Sequence, residues 1–67
     1  MAEFKDRLKQ LRLDKKVLQK DLAEYLGITV RAYQYYEAGR NCPDLNGLKK
    51  LADYFQVSLD YLAGRDS

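Results

Sequence analysis

Residues 31–40 read RAYQYYEAGR, and here the chain concentrates side chains able to recognise a ligand. Three of its six tyrosines, Tyr33, Tyr35 and Tyr36, stand between Arg31 and Arg40. A guanidinium offers a planar fork of N–H donors, and a phenol offers a flat apolar ring with one polar tip. Basic residues interleaved with aromatics suit a surface that grips nucleic acid. They equally suit an ordinary helix with one apolar face. Covalent chemistry has far less to work with. The chain has no histidine and a single cysteine, Cys42, which excludes a Cys/His zinc site, a His-based triad and an intrachain disulfide within one chain. No nucleophile is placed with a base and no metal or cofactor set is recognisable, so the chain reads as a binding protein without a cofactor rather than an enzyme.

Helical phase divides the segment. At about 100° per residue from Val30, Tyr33 falls near 300° and Tyr36 near 240°, on one face. Gln34 near 40°, Arg31 near 100° and Tyr35 near 140° fall on roughly the opposite side. Tyr33 and Tyr36 are therefore expected to pack inward, with their hydroxyls at the edge of the core. Val30, Arg31, Gln34 and Tyr35 are expected to face outward.

The elements that must hold this segment are all helical. Phe4, Leu8 and Leu11 mark one apolar stripe over about residues 3–16. Leu22, Ala23 and Leu26 mark a second helix over about residues 19–26, stopped by Gly27. The third opens after Thr29, a good N-cap, and runs over about Val30–Ala38 until Gly39. After Pro43 and the capping residue Asp44, a fourth carries Leu45, Leu48, Leu51, Ala52 and Phe55. Ser58 caps a fifth, LDYLA, which ends at Gly64. Sixty-seven residues make room for one small domain with a thin core, here an all-α bundle of five helices spanning 1–67.

Charge is distributed unevenly. The first twenty residues carry seven basic and three acidic side chains, and the remainder carries five and seven. A basic half can attract phosphates, although a solvated helix face has the same composition. The N-terminus has no apolar signal region, and no run approaches the ~18 apolar residues of a membrane span, so a cytoplasmic protein is expected.

The second and third helices, with Gly27 in the tight turn and Ala23 where they cross, fit a helix-turn-helix over about residues 19–38. Taken in order, RLKQLR, QKDLAEYLGIT, YEAGRNCPDLNGLKKLADYF and VSLDYLAG resemble the phage repressor/Cro type of helix-turn-helix, the XRE family. The resemblance covers almost the whole chain and implies a lambda-repressor-like bundle that binds operator DNA, usually as a dimer. It implies that the third helix lies in the major groove, with Arg31, Val30, Tyr35 and Gln34 as base-reading candidates. Tyr35 is open to three uses: a thymine methyl, a phosphate or a protein partner. Gln34 points more sideways, toward phosphate or solvent.

Gln19 matches the glutamine at which the family's first motif helix meets a phosphate, and Arg40 and Asn41 match loop positions beside the DNA backbone. Thr29 is a cap and a further phosphate candidate, and Lys15, Lys16 and Lys20 are the lysines placed to approach the backbone. Arg12 and Glu37 match a family ion pair that fixes the recognition helix and turns Arg12 toward DNA. Two departures stand out. Tyr33 and Tyr36 replace aliphatic residues, which implies a larger or partly exposed pocket. Leu18 replaces the Ser or Thr cap, so the start of the second helix is expected to be frayed or shifted.

The exposed part of Tyr54, Leu59, Tyr61 and Leu62 near the fifth helix is the expected homodimer contact. A two-fold dimer requires a near-palindromic operator with half-sites ~34 Å apart. The function expected is a sequence-specific DNA-binding transcriptional regulator, a repressor, of bacterial or phage origin. With no second domain expected after the fifth helix, control would rest on concentration, a regulatory protein partner or a further domain. The alternative is an antitoxin-like or anti-repressor module that binds a protein. Cys42, in the expected DNA-facing loop, invites a redox reading, but a lone cytosolic cysteine is usually incidental.

Overall fold

In the computed structural model, which describes residues 3–65, five helices follow one another: α1 (Phe4–Asp14), α2 (Gln19–Leu26), α3 (Val30–Ala38), α4 (Leu45–Phe55) and α5 (Leu59–Ala63). No strand occurs among the described residues.

Three helices start on side-chain caps. Thr29 Oγ1 accepts from the Ala32 N–H at 3.0 Å, Asp44 Oδ1 from Gly47 at 2.8 Å and Ser58 Oγ from Tyr61 at 3.0 Å. The expectation of a frayed or shifted α2 is corrected: the helix begins at Gln19. Leu18 has no acceptor to offer, but the Leu18 N–H donates to Asp21 Oδ2 at 3.4 Å, half of a reciprocal capping box.

All five helices end in one backbone motif. The residue after the cap adopts, or the cap itself adopts, the left-handed conformation, at Lys16, Gly27, Gly39, Gln56 and Gly64. The next N–H then reaches back five residues: Val17 to Arg12, Ile28 to Ala23, Arg40 to Tyr35, Val57 to Ala52 and Arg65 to Asp60, at 2.8–3.0 Å. This arrangement satisfies carbonyls that a helix end would leave open. It explains why α1 stops at Asp14 rather than continuing to Lys16, whose φ of 56° has already turned the chain. After α1, α2 and α4 the reaching residue is apolar and packs on the core (Val17, Ile28, Val57); after α3 it is the exposed Arg40.

The core takes Leu8 from α1, Leu22 and Ala23 from α2, Tyr33 from α3, Leu51, Ala52 and Phe55 from α4, and Leu62 from α5. Ala23, the small residue expected where α2 and α3 cross, is buried in this core. Tyr33 is fully buried and Tyr36 half-buried, their rings in edge contact at 6.2 Å. Tyr36 also lines an open groove of about 330 Å³ with Leu26, Ile28, Pro43 and Lys50. Leu45, counted above in the α4 stripe, is instead 57% exposed. It occupies the first position of α4 at the edge of the stripe, and Pro43 is buried just before it. Leu62 likewise leaves the expected dimer surface for the core. Arg7 ties α1 to α5: Nη1 donates to the Tyr61 carbonyl at 2.9 Å, and the guanidinium lies 4.3 Å from the Tyr61 ring centre.

Candidate nucleic-acid interface

The candidate surface begins with the exposed side chains of α3. Val30 is 40% and Tyr35 37% exposed, and Arg31 and Gln34 are exposed beside them. Among the described residues, the Arg31 guanidinium and the Tyr35 hydroxyl have no intramolecular partner. Their donors are uncommitted, which is the condition for reading an external ligand. Gln34 differs, because its Nε2 donates to Gln19 Oε1 at 3.1 Å.

Gln19 is the first residue of α2, where an α-helix exposes backbone N–H groups that its own carbonyls cannot reach. The N–H groups of Gln19 and Lys20 find no acceptor among the described residues. Free N–H groups and the positive end of the helix dipole together favour an anion. Thr29 is exposed at the start of α3, with Oγ1 already engaged as the cap.

Behind this surface lies a polar cluster centred on Glu37. Arg12 Nε donates to Glu37 Oε2 at 2.6 Å and Nη2 to Oε1 at 3.2 Å, while Nη1 reaches the Val17 carbonyl at 3.2 Å. The Tyr33 hydroxyl donates to Oε2 at 2.6 Å and Gln19 Nε2 to Oε1 at 3.1 Å. The two charged side chains are only 13% and 6% exposed. Burial pushes the Glu37 carboxyl up, but donation from Arg12, then Tyr33 and Gln19, outweighs it and holds the group below the usual carboxylate range. Hydrogen bonding to Glu37 raises Arg12, and burial raises the Tyr33 phenol far above its ordinary value. The cluster is thus a carboxylate, a guanidinium and a neutral phenol, and no buried side-chain polar atom among the described residues lacks a partner.

At the far end of α3, Arg40 and Asn41 are exposed, and both N–H groups are directed at the Tyr35 carbonyl, at 3.0 and 3.4 Å. Reading the sequence missed a neighbour here. Lys5 lies across Gly39, so close that a Cβ at Gly39 would fall 2.7 Å from Lys5 Cδ. An ammonium beside the C-terminal end of a helix complements its dipole. Lys5 and Phe4 share a surface depression with Asn41 and Cys42, which is exposed. The lysines named above, Lys15, Lys16 and Lys20, are all exposed at the α1–α2 corner. No group of three or more metal-ligating side chains occurs among the described residues.

The sequence profile of a helix-turn-helix family matches residues 8–62, the span that contains this cluster and both motif helices. The chain belongs to the XRE-type helix-turn-helix family. It is 42% identical over 64 residues to the uncharacterized HTH-type transcriptional regulator YqaE of Bacillus subtilis, covering 96% of this chain and 55% of that protein. It is 35% identical over 63 residues to the cryptic phage CTXphi transcriptional repressor RstR of Vibrio cholerae, covering 94% and 56%. Over 60 residues it is 37% identical to the HTH-type transcriptional activator BcrR of Enterococcus faecalis, covering 90% and 29%. The crystal structure of a transcriptional regulator from Listeria innocua superposes with a TM-score of 0.92 at 32% identity, over 97% of this chain and 61% of that one. The chain thus spans just over half the length of YqaE and RstR. No helix among the described residues is long and apolar enough to cross a membrane.

Proposed function

We propose that this member of the XRE-type helix-turn-helix family is a cytoplasmic, sequence-specific DNA-binding transcriptional regulator that acts as a repressor. One observation carries the reading. The uncommitted side chains of α3 stand beside the open N-terminus of α2, and a buried ion pair from α1 braces both helices. α3 enters the major groove. Arg31 reads guanine through O6 and N7, Val30 meets a thymine methyl, and Tyr35 packs on a base or bonds a phosphate. Gln34 stands at the edge of this set. Gln19, Thr29, Arg40 and Asn41 meet the phosphate backbone and set the register. A homodimer through the α5 region, with Tyr54 and the partly exposed Leu59 and Tyr61, places two copies of α3 on a near-palindromic operator.

Selection of bound sequences from a random DNA pool at near-physiological salt tests this directly. A palindromic motif with half-sites one turn apart is expected, and a pool that shows no enrichment refutes the reading. A reporter under the selected operator then gives the sign of regulation, which is expected to be repression. The exposed Val30 and Tyr35 would also suit a protein partner, as in an antitoxin-like module. Retention of one cellular protein together with no DNA affinity would favour that alternative.

A further inference from the structure

Glu37 determines more than the pose of Arg12. A carboxylate only accepts hydrogen bonds, so Gln19 must turn its amide nitrogen toward Glu37 Oε1, at 3.1 Å. That choice turns Gln19 Oε1 away, and Oε1 can only accept. Gln34 must then present its own nitrogen, and its Nε2 donates to Gln19 Oε1 at 3.1 Å. The orientation of each amide in this chain is dictated by the previous one, starting from the ion pair. Gln19 is held from both sides, by Glu37 of α3 within and by Gln34 of α3 at the surface. One amide N–H of Gln19 and its backbone N–H are left to meet a ligand at the start of α2.

We infer that Gln34 is a positioning residue for the phosphate contact of Gln19 rather than a reader of bases. The inference rests on the DNA-binding reading above and gives Gln34 a specific part in it. A glutamine side chain has three rotatable torsions that must be ordered when it grips a phosphate. Holding it beforehand in the free protein lowers that cost at binding. The contact also becomes coupled to α3: the phosphate grip of α2 and the placement of the recognition helix share one hydrogen-bonded chain.

The test compares wild type, Gln34→Ala, Gln34→Met, Gln19→Ala and the double variant Gln19→Ala/Gln34→Ala. Each is titrated with the selected operator and with mixed-sequence duplex of the same length. Gln34→Ala and Gln34→Met are expected to weaken both duplexes by the same factor, about 2- to 10-fold, the worth of one hydrogen bond. Base preferences selected from a random pool are expected to stay as in wild type. The double variant is expected to bind no more weakly than Gln19→Ala alone, because Gln34 acts through Gln19. Relaxed preference at one base pair in Gln34→Ala, or losses that multiply in the double variant, would overturn the assignment while leaving the DNA-binding reading intact. Wild-type protein with no affinity for either duplex would overturn both.

Discussion

At Glu37 one carboxylate takes hydrogen bonds from α1, α2 and α3, through Arg12, Gln19 and Tyr33. Removing it leaves the Arg12 guanidinium charged and mostly buried, a loss of ~3–5 kcal/mol. That is comparable with the whole stability of a domain this small, on the order of 5 kcal/mol. Glu37→Ala is therefore expected to lower the melting temperature by more than about 10 °C in circular dichroism; a melt like that of wild type would refute the bracing role. The same group predicts a pH dependence. Its folded pKa lies below its unfolded one, so its stabilisation is complete above the unfolded value of about 4.3 and is lost as pH falls through the lower folded value. Tyr33 has the opposite sense: its raised phenol contributes stability below about pH 10 that is lost as pH rises further. Urea midpoints measured across pH are expected to fall at both ends, and Tyr33→Phe is expected to flatten the alkaline fall. Arg31 makes a different kind of prediction, because its guanidinium is exposed and has no partner among the described residues. Arg31→Ala is expected to relax one base position by ~1–3 kcal/mol in a selected operator. Uniform weakening on all sequences would make it a phosphate contact instead.

Among the elements, the helix ends are the most uniform feature. Three of the left-handed positions hold glycine, where the conformation costs little, but α4 ends on Gln56 with φ 54°. A residue with a Cβ there carries roughly 1–2 kcal/mol of strain. Gln56 is exposed, and its side chain has no hydrogen-bond partner among the described residues. Gln56→Gly is expected to raise the melting temperature by about 4 °C, since part of the gain is offset by the greater freedom of unfolded glycine. A lower melting temperature would mean that the side chain contributes in a way its exposure does not reveal. Gly39 is the reverse case. Its φ of 79° would strain any residue with a Cβ, and the close stem of Lys5, although flexible, occupies the space that one would need. The turn that ends α3 therefore also seats the Lys5 side chain.

For the whole molecule, the proposed interface gathers cations that the overall net charge of +2 conceals. Arg31 and Arg40 lie on or beside α3, and Lys15, Lys16 and Lys20 lie at the corner that leads into α2. Binding by charge neutralisation releases counterions, so affinity should fall linearly on logarithmic axes as salt rises. A loss of at least about tenfold between 50 and 200 mM salt is expected for a dimer with a few such contacts on each half-site. Affinity indifferent to salt would favour the protein-partner alternative. The match in fold to a transcriptional regulator over 97% of the chain places these residues on a scaffold shared with that regulator.

Local rules were enough for the elements. Periodicity, Thr29, Asp44 and Ser58 as caps, and Gly27, Gly39 and Gly64 as stops mark the five helices, because each signal acts within a turn or two of chain. Phase alone turned Tyr33 inward, and the family resemblance brought Arg12 to Glu37. For the other partners that side chains find across helices, the sequence is silent. Gln19 meets Gln34 and Glu37 across 15 and 18 residues, a meeting set by how α2 packs against α3. The Tyr33 hydroxyl, Lys5 over Gly39, the burial of Leu62 and the exposure of Leu45 are of the same kind. The sequence by itself determined which segments are helical and which faces are apolar, since those depend on neighbours along the chain. Only the tertiary structure decided how Glu37 gathers Tyr33 and Gln19, and Gln19 in turn Gln34, since that depends on angles and distances between helices that no local pattern encodes.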